Sequence, residues 1–337
     1  MKERPKTSNG TSLPKYALWL VAAVLLLILP FLGIGGGPYF IHICILIFTF
    51  VIATSGLRTI YLSGQASVAP AAFMGIGAYT SAIMSARLGV SPWATMFLAA
   101  IGTMAVAAVV GYVFSRLRAT YFSVVTVFFG VGVEALIRAL ESLTGGRTAL
   151  VGYPGFGILR IPGVGMIDFA SSKIPSYYLL LILAALTLIV LYRMERSRTG
   201  MNFAAVAQSP LVASSIGISE VRFRVLAFSV GCFFAGLAGA AYGHYSGVLA
   251  PGSYGLMSSI AIVTYLLLGG QKYFFGPVLG VVILVAVPEF FRSTKEYAPF
   301  ITGGVMLVVI FLIPDGLASL TKPAWLWLRK TTDKGAQ

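Results

Sequence analysis

The chain has 337 residues, of which 58% are hydrophobic and only 10% charged, with 38 glycines and a mean hydropathy of +0.91. Soluble domains carry about 25% charged residues, so this composition excludes a soluble enzyme, a disordered chain and a disulfide scaffold, and defines a helical polytopic membrane protein. The net charge of +14 suggests nucleic acid in a soluble protein, but in a membrane protein it first reports orientation, because Lys and Arg collect in cytoplasmic loops.

About 30 Å of hydrocarbon at 1.5 Å rise per residue requires roughly 20 apolar residues per crossing. Segments that meet this run through 16–34, 38–56, 61–85, 92–115, 120–141, 175–192, 223–246, 255–270, 275–291 and 298–314, so we expect an all-α fold of about ten transmembrane helices. The first follows Lys2, Arg4, Lys6 and Lys15. It is longer than a signal-peptide core and lacks a small-x-small cleavage site, so it reads as an uncleaved helix. The third holds Ser63, Gln65, Ser67 and Pro70, polar or helix-breaking residues that suit a broken or re-entrant segment.

Ten crossings with an inner N-terminus leave Arg87, Arg138, Arg147, Arg160, Lys173, Arg292 and Lys295 outside and put the rest of the 24 basic residues inside. That asymmetry is the one expected of a correct topology. Both termini are then cytoplasmic: a tail over 1–15, a transmembrane domain over 16–320 and a second tail over 321–337. Residues 142–174 form a long outer loop rich in Gly and Pro, either a connector or a functional element. Residues 193–222 form a long inner loop. Its stretch 202–217, NFAAVAQSPLVASSIG, is too apolar for a solvated linker and suits a short helix lying along the membrane.

Small residues recur at four-residue spacing. Gly231, Ala235, Gly239, Gly243 and Gly247 make one drifting face of the seventh segment, where a second helix can approach backbone to backbone. Ser67, Ala71 and Gly75, then Gly77, Ser81 and Ser85, repeat the device in the third segment, and Gly276 and Gly280 open the ninth. Such faces serve static packing or helices that slide. Gly239→Leu blocks assembly on either reading, whereas Gly239→Ala that assembles without transporting would favour sliding.

Ionisable residues within the segments are few. Glu134 and Arg138 are spaced to pair on one helix face, and Glu289 follows Pro288 near a segment end. No chain of intramembrane acids and histidines suggests a proton-coupled carrier. Cys44 and Cys232 lie in apolar runs, and His42 and His244 are too few for a histidine metal site, so neither metal nor cofactor is expected. No phosphate-loop motif occurs, so active transport would require a separate ATPase, with 193–222 as its docking site. A stand-alone channel or ion-coupled carrier and a membrane-embedded enzyme remain weaker alternatives.

Six stretches together resemble the permease subunits of the branched-chain amino acid ABC transporters, the M-type branch in particular. They are LSGQASVAPAAFMGIGAYTSAI at 62–83, TGGRTAL at 144–150, RTGMNFAAVAQSPLVASSIGI at 198–218, LAFSVGCFFAGLAGAAYGHYSGVLAP at 226–251, LLLGGQKYFFGPVLG at 266–280 and IPDGL at 313–317. The resemblance implies an ABC importer permease fold in the bacterial inner membrane, paired with a homologous H-type permease. It further implies two cytoplasmic ATPase subunits, an external binding protein, a lipid environment, no nucleic acid, and branched-chain or aliphatic amino acids as cargo. Urea, short amides or another small organic solute are the alternative cargoes within the same architecture.

On this reading Gln65, Ser67 and Tyr79 lie near the solute pathway, and Ala205, Ser209, Ala213 and Gly217 contact the ATPase. Ala69-Pro70 stands where the family usually has Gly-His. Met201, Ala204 and Ala207 stand near its usual arginines, and Ala149 replaces a usual glycine.

Overall fold

The computed structural model describes residues 37–117, 119–161, 165–169 and 172–290, with Pro30, 316–321 and isolated positions between 303 and 313. The expected segments 16–34 and 298–314, both tails and the side chain of Glu289 therefore lie largely or wholly outside the described residues.

The architecture is helical. The long helices are α1 (Pro38–Leu62), α2 (Pro70–Leu88), α3 (Pro92–Phe114), α4 (Ala119–Ala139) and α6 (Ile174–Glu195), with the four-residue α5 (Glu141–Thr144) before α6. The inner loop folds as α7 (Arg198–Gln208) and α8 (Pro210–Ser215), followed by α9 (Glu220–Ser246), α10 (Leu256–Gly269) and α11 (Gly276–Phe290). Proline opens α1, α2, α3 and α8 at the first position, where its missing N–H costs nothing and its fixed φ suits the helix. Left-handed glycines close α2 at Gly89 and α9 at Gly247.

Among the described residues six stretches are long and apolar enough to cross a membrane: α1, α3, residues 120–139 of α4, α6, α9, and the 3-10 turn Pro251–Tyr254 together with α10. The apolar part of α11, Gly276–Ala286, is shorter, and α2 is too polar to qualify. The expected count of ten is thus not reached by the described residues. The third segment is where the reading changes most. Its first seven residues, 63–69, are not helical, and α2 starts only at Pro70.

α9 is the central helix, packed against α1, α2 and α3, while α1 also packs on α6, α10 and α11. Glycine permits these approaches. A Cβ at Gly231 would stand 2.6 Å from the Gly56 carbonyl oxygen, and one at Gly56 2.6 Å from that of Gly231. A Cβ at Gly239 would overlap the backbone carbonyl of Met74. At this contact even alanine is too large, so Gly239→Ala cannot separate sliding from static packing. Ala235 is buried, and Gly243 faces Leu249 and Ala78. Gly247 continues the spacing but not the contact: it is the left-handed cap (φ +69°), with nothing within 4 Å of an added Cβ. Gly236, off the four-residue series, meets Gly77 of α2 and Thr103 of α3.

The expected outer loop, 142–174, carries two short antiparallel pairings among its described residues. Strand β1 (Leu150–Val151) pairs antiparallel with β4 (Val248–Leu249), which follows α9. Strands β2 (Ile158–Ile161) and β3 (Gly165–Asp168) form a hairpin. The α3 and α4 faces expose Phe97, Leu98, Ile101, Val109, Tyr121 and Phe128, apolar side chains suited to lipid or another membrane chain.

Candidate functional site

Three places in the bundle gather polar chemistry. The first is the break at 63–69. A helix that stops inside a packed bundle leaves backbone groups without partners, and each must find one. Ser63 caps α1 by donating to the Ile60 carbonyl (2.7 Å). Ser123 of α4 donates to the Ala66 carbonyl (2.6 Å). The Val68 N–H donates to Thr126 Oγ1 of α4 (3.1 Å), and the Ala71 N–H to Ser259 Oγ of α10 (3.2 Å). The break is thus strapped by hydroxyls from two other helices.

Within it Gln65 is 1% exposed, and neither end of its carboxamide meets a protein partner. A buried amide in that state costs about 1–3 kcal/mol, so the site holds a donor and an acceptor ready for a further group. Ser67 is also buried, and its hydroxyl accepts from the Ala69 N–H (3.4 Å). Tyr79 lies more than two turns farther along α2, where its hydroxyl donates to the Leu249 carbonyl (2.8 Å). The structure therefore brings Gln65 and Ser67 together and sets Tyr79 apart, in the contacts of the outer end.

The second place is that end, the one expected to face outside, where the ties around His244 are neutral. His244 of α9 is 4% exposed. Its Nδ1 meets the Pro154 carbonyl (2.8 Å) and its Nε2 meets Ser81 Oγ of α2 (2.8 Å). The Tyr153 hydroxyl donates to the Gly243 carbonyl (2.7 Å). Burial pushes the Tyr153 phenol up to about 12, a rise only partly offset by its hydrogen bond with Ser246, so it stays protonated and donating at physiological pH. Trp93, Phe156 and Phe169 pack beside this cluster with tilted and edge-on rings. Sequence spacing gave no sign of it, because its partners lie far apart along the chain. At the adjoining surface Ala149 is the one non-glycine with positive φ among the described residues (φ 94°), at the position where the family resemblance leads one to expect glycine.

The third place is the opposite end, built around α7 and α8. The expected single helix over 202–217 is two helices, bent at Ser209-Pro210. Ser197 caps α7 and Ser209 caps α8, each filling an orphan N–H of the first turn. Ser209 is thus part of the joint, Ala205 is half-buried, and Ala213 is 2% exposed and faces inward. Gly217 is exposed with φ +83°. The side chains that stand out are Met201, Leu211, Val212 and Ile216, each more than half exposed. The four-residue register 205, 209, 213, 217 did not pick these out.

At the same end Arg58, buried near the end of α1, holds Glu195 through two hydrogen bonds of 2.7 and 2.9 Å. The charges assigned to opposite sides of the membrane separate along the bundle. Arg58, Glu195 and the Gln271 carbonyl meet at this end, while Arg87 donates to the Ser142 carbonyl and Arg138 pairs with Glu134 at the other.

A helical bundle with several apolar spans and a strapped interruption between two helices is the architecture of a multi-pass membrane protein. The chain belongs to the family described as branched-chain amino acid transport system, permease component, whose model matches residues 39–313. It is 29% identical to the high-affinity branched-chain amino acid transport system permease protein LivM of Escherichia coli, over 96% of this chain and 79% of the relative. It is 26% identical to LivH of Salmonella typhimurium, over 80% of this chain and 91% of that protein. A shorter match, 34% identical over 34% of this chain and 32% of the relative, is to the putative glucose ABC transporter permease protein TsgC13 of Haloferax volcanii. No solved structure matches the chain.

Proposed function

We propose that this chain is the membrane-spanning subunit of an ATP-driven importer of branched-chain or aliphatic amino acids. It sits in the inner membrane with both termini cytoplasmic. Its partners are a homologous H-type permease, two cytoplasmic ABC ATPases and an external binding protein. The observation that carries the reading is the match to the permease family over most of the chain. The ordered α7–α8 element supports it further, because Met201, Leu211, Val212 and Ile216 present an apolar surface that a second protein could cover.

ATP-driven closure of the ATPase pair moves this element and opens the pathway alternately to each side. Gln65 contributes a free donor and a free acceptor to the pathway. That pairing suits a zwitterionic amino acid, whose carboxylate accepts and whose ammonium donates. Ser67 and Tyr79 border the same route, and Ala205, Ser209, Ala213 and Gly217 shape the ATPase contact from within. The test is uptake of labelled leucine, isoleucine and valine into proteoliposomes, with and without the ATPases and binding protein. Uptake should require both partners and ATP. Uptake by this chain alone, indifferent to ATP, would refute the reading. A second cargo reading, another small organic solute on the same architecture, draws on the similarity to the putative glucose permease of Haloferax volcanii. It predicts that the binding protein selects that solute over leucine.

A further inference from the structure

The guanidinium of Arg58 touches two separate parts of the chain, the end of α6 and the α10–α11 loop. Two of its nitrogens hold the Glu195 carboxylate, and Nε donates to the Gln271 carbonyl in the α10–α11 loop (3.1 Å). Its plane lies over the Phe274 ring, 5.5 Å from the centroid. The side chain is 4% exposed, and Glu195 is 31% exposed. A planar fork that is also stacked fixes direction as well as distance, which a lysine at the same place does not.

Glu195 is the last residue of α6, and α7 begins three residues later. The first turn of α7 folds back on it so closely that a Cβ at Gly200 would overlap the Glu195 backbone. Phe203 of α7, 1% exposed, lines a small cavity together with Arg58, Glu195, Phe274 and Ser55. The far end of α7 touches the break directly: a Cβ at Gly64 would stand 3.0 Å from the Ala207 Cα. Helix α7 is therefore gripped at its start by the Arg58 pair and at its end by Gly64, and both grips belong to the end of α1 and the strapped break that carries Gln65.

We propose that Arg58 is a positioning residue that converts displacement of α7 into displacement of the 63–69 break. Glu195 is its lever on α7, and the Gln271 carbonyl and Phe274 are its fixed support on the α10–α11 loop. This rests on the reading of α7–α8 as the ATPase-facing element. Force that enters at α7 then reaches Gln65 without passing through the packed centre of α9.

The test uses the full assembled complex in proteoliposomes and reads solute transported per ATP hydrolysed, normalised to assembled complex. Arg58→Lys keeps the charge and loses the fork and the stacking, and should lower that ratio by about tenfold while hydrolysis persists. Glu195→Gln, which keeps the shape of the half-exposed partner, should lower it less, and it supplies the readout if the lysine variant fails to assemble. A merely structural role would lower transport and hydrolysis together and leave the ratio at the wild-type value. An unchanged ratio in whichever variant assembles would overturn the proposal. A wild-type complex that neither hydrolyses ATP nor transports would instead overturn the reading of the ATPase-facing element.

Discussion

The two ends of the bundle are held by different chemistry. At the outer end α2, α9 and the loop after α5 are tied by neutral hydrogen bonds through Ser81, His244 and Tyr153, beside a tight aromatic group at Trp93. At the other end a half-buried charge pair, Arg58 with Glu195, ties the end of α1 to the start of the α7–α8 element. Many neutral contacts give an end that resists opening by small increments. The ion pair is one joint: breaking it leaves the buried guanidinium without its carboxylate. The contrast teaches that one bundle can be closed by many small neutral contacts at one end and by one charged joint at the other, which is the arrangement the proposed importer would use if α7–α8 faces the ATPases.

Substitutions at four positions can break or sharpen this contrast. The largest effect is expected at the centre from which both ends hang. Gly239→Leu drives a side chain into the Met74 backbone and should abolish recovery of folded protein, with Gly239→Ala also impaired by about 1–3 kcal/mol or more. Size-exclusion chromatography in detergent checks both.

Next comes the outer seal. His244→Ala leaves Ser81 Oγ and the Pro154 carbonyl without this partner and should cost about 1–3 kcal/mol. Hydrogen exchange should rise over 150–156 and stay unchanged over α7. A rise confined to α7 would mean that the two ends are not independent. Tyr153→Phe removes the neutral bonds of its hydroxyl, to the Gly243 carbonyl and with Ser246, and should cost about 1–2 kcal/mol in thermal unfolding. The smallest effect runs the other way. Ala149→Gly relieves a non-glycine at φ 94° and should stabilise by about 1 kcal/mol, read as a small rise in Tm.

Apolar spans were legible in the sequence because burial in lipid demands a continuous apolar run, and α1, α3, α6 and α9 fall where those runs fall. The break was legible for the same reason in reverse: Ser63, Gln65, Ser67 and Pro70 interrupt a run. Contacts between distant segments were not. The partners of Arg58 lie 137 and 213 residues away, and those of His244 lie 90 and 163 residues away. Periodicity within one helix carries no information about either. The four-residue rule found Gly231 and Gly239 but passed over Gly236, because the packing face drifts around α9 as its neighbours change from α1 to α2 and α3. Side-chain direction in the inner loop was not legible either: the bend at Ser209-Pro210 leaves Ala213, which the resemblance assigned to the ATPase contact, buried and leaves Leu211 and Val212 exposed.

The central claim is that the bundle has a solute-facing end and a motor-facing end on opposite sides of the membrane. Arg147 and Arg198 are both exposed and belong to opposite ends, and the native cysteines, Cys44 and Cys232, are buried. Labelling of Arg147→Cys and Arg198→Cys with a membrane-impermeant thiol reagent in intact cells tests the claim most directly. The account predicts that Arg147→Cys reacts in intact cells and that Arg198→Cys reacts only after the cells are opened. Reaction of both from the same side would contradict it.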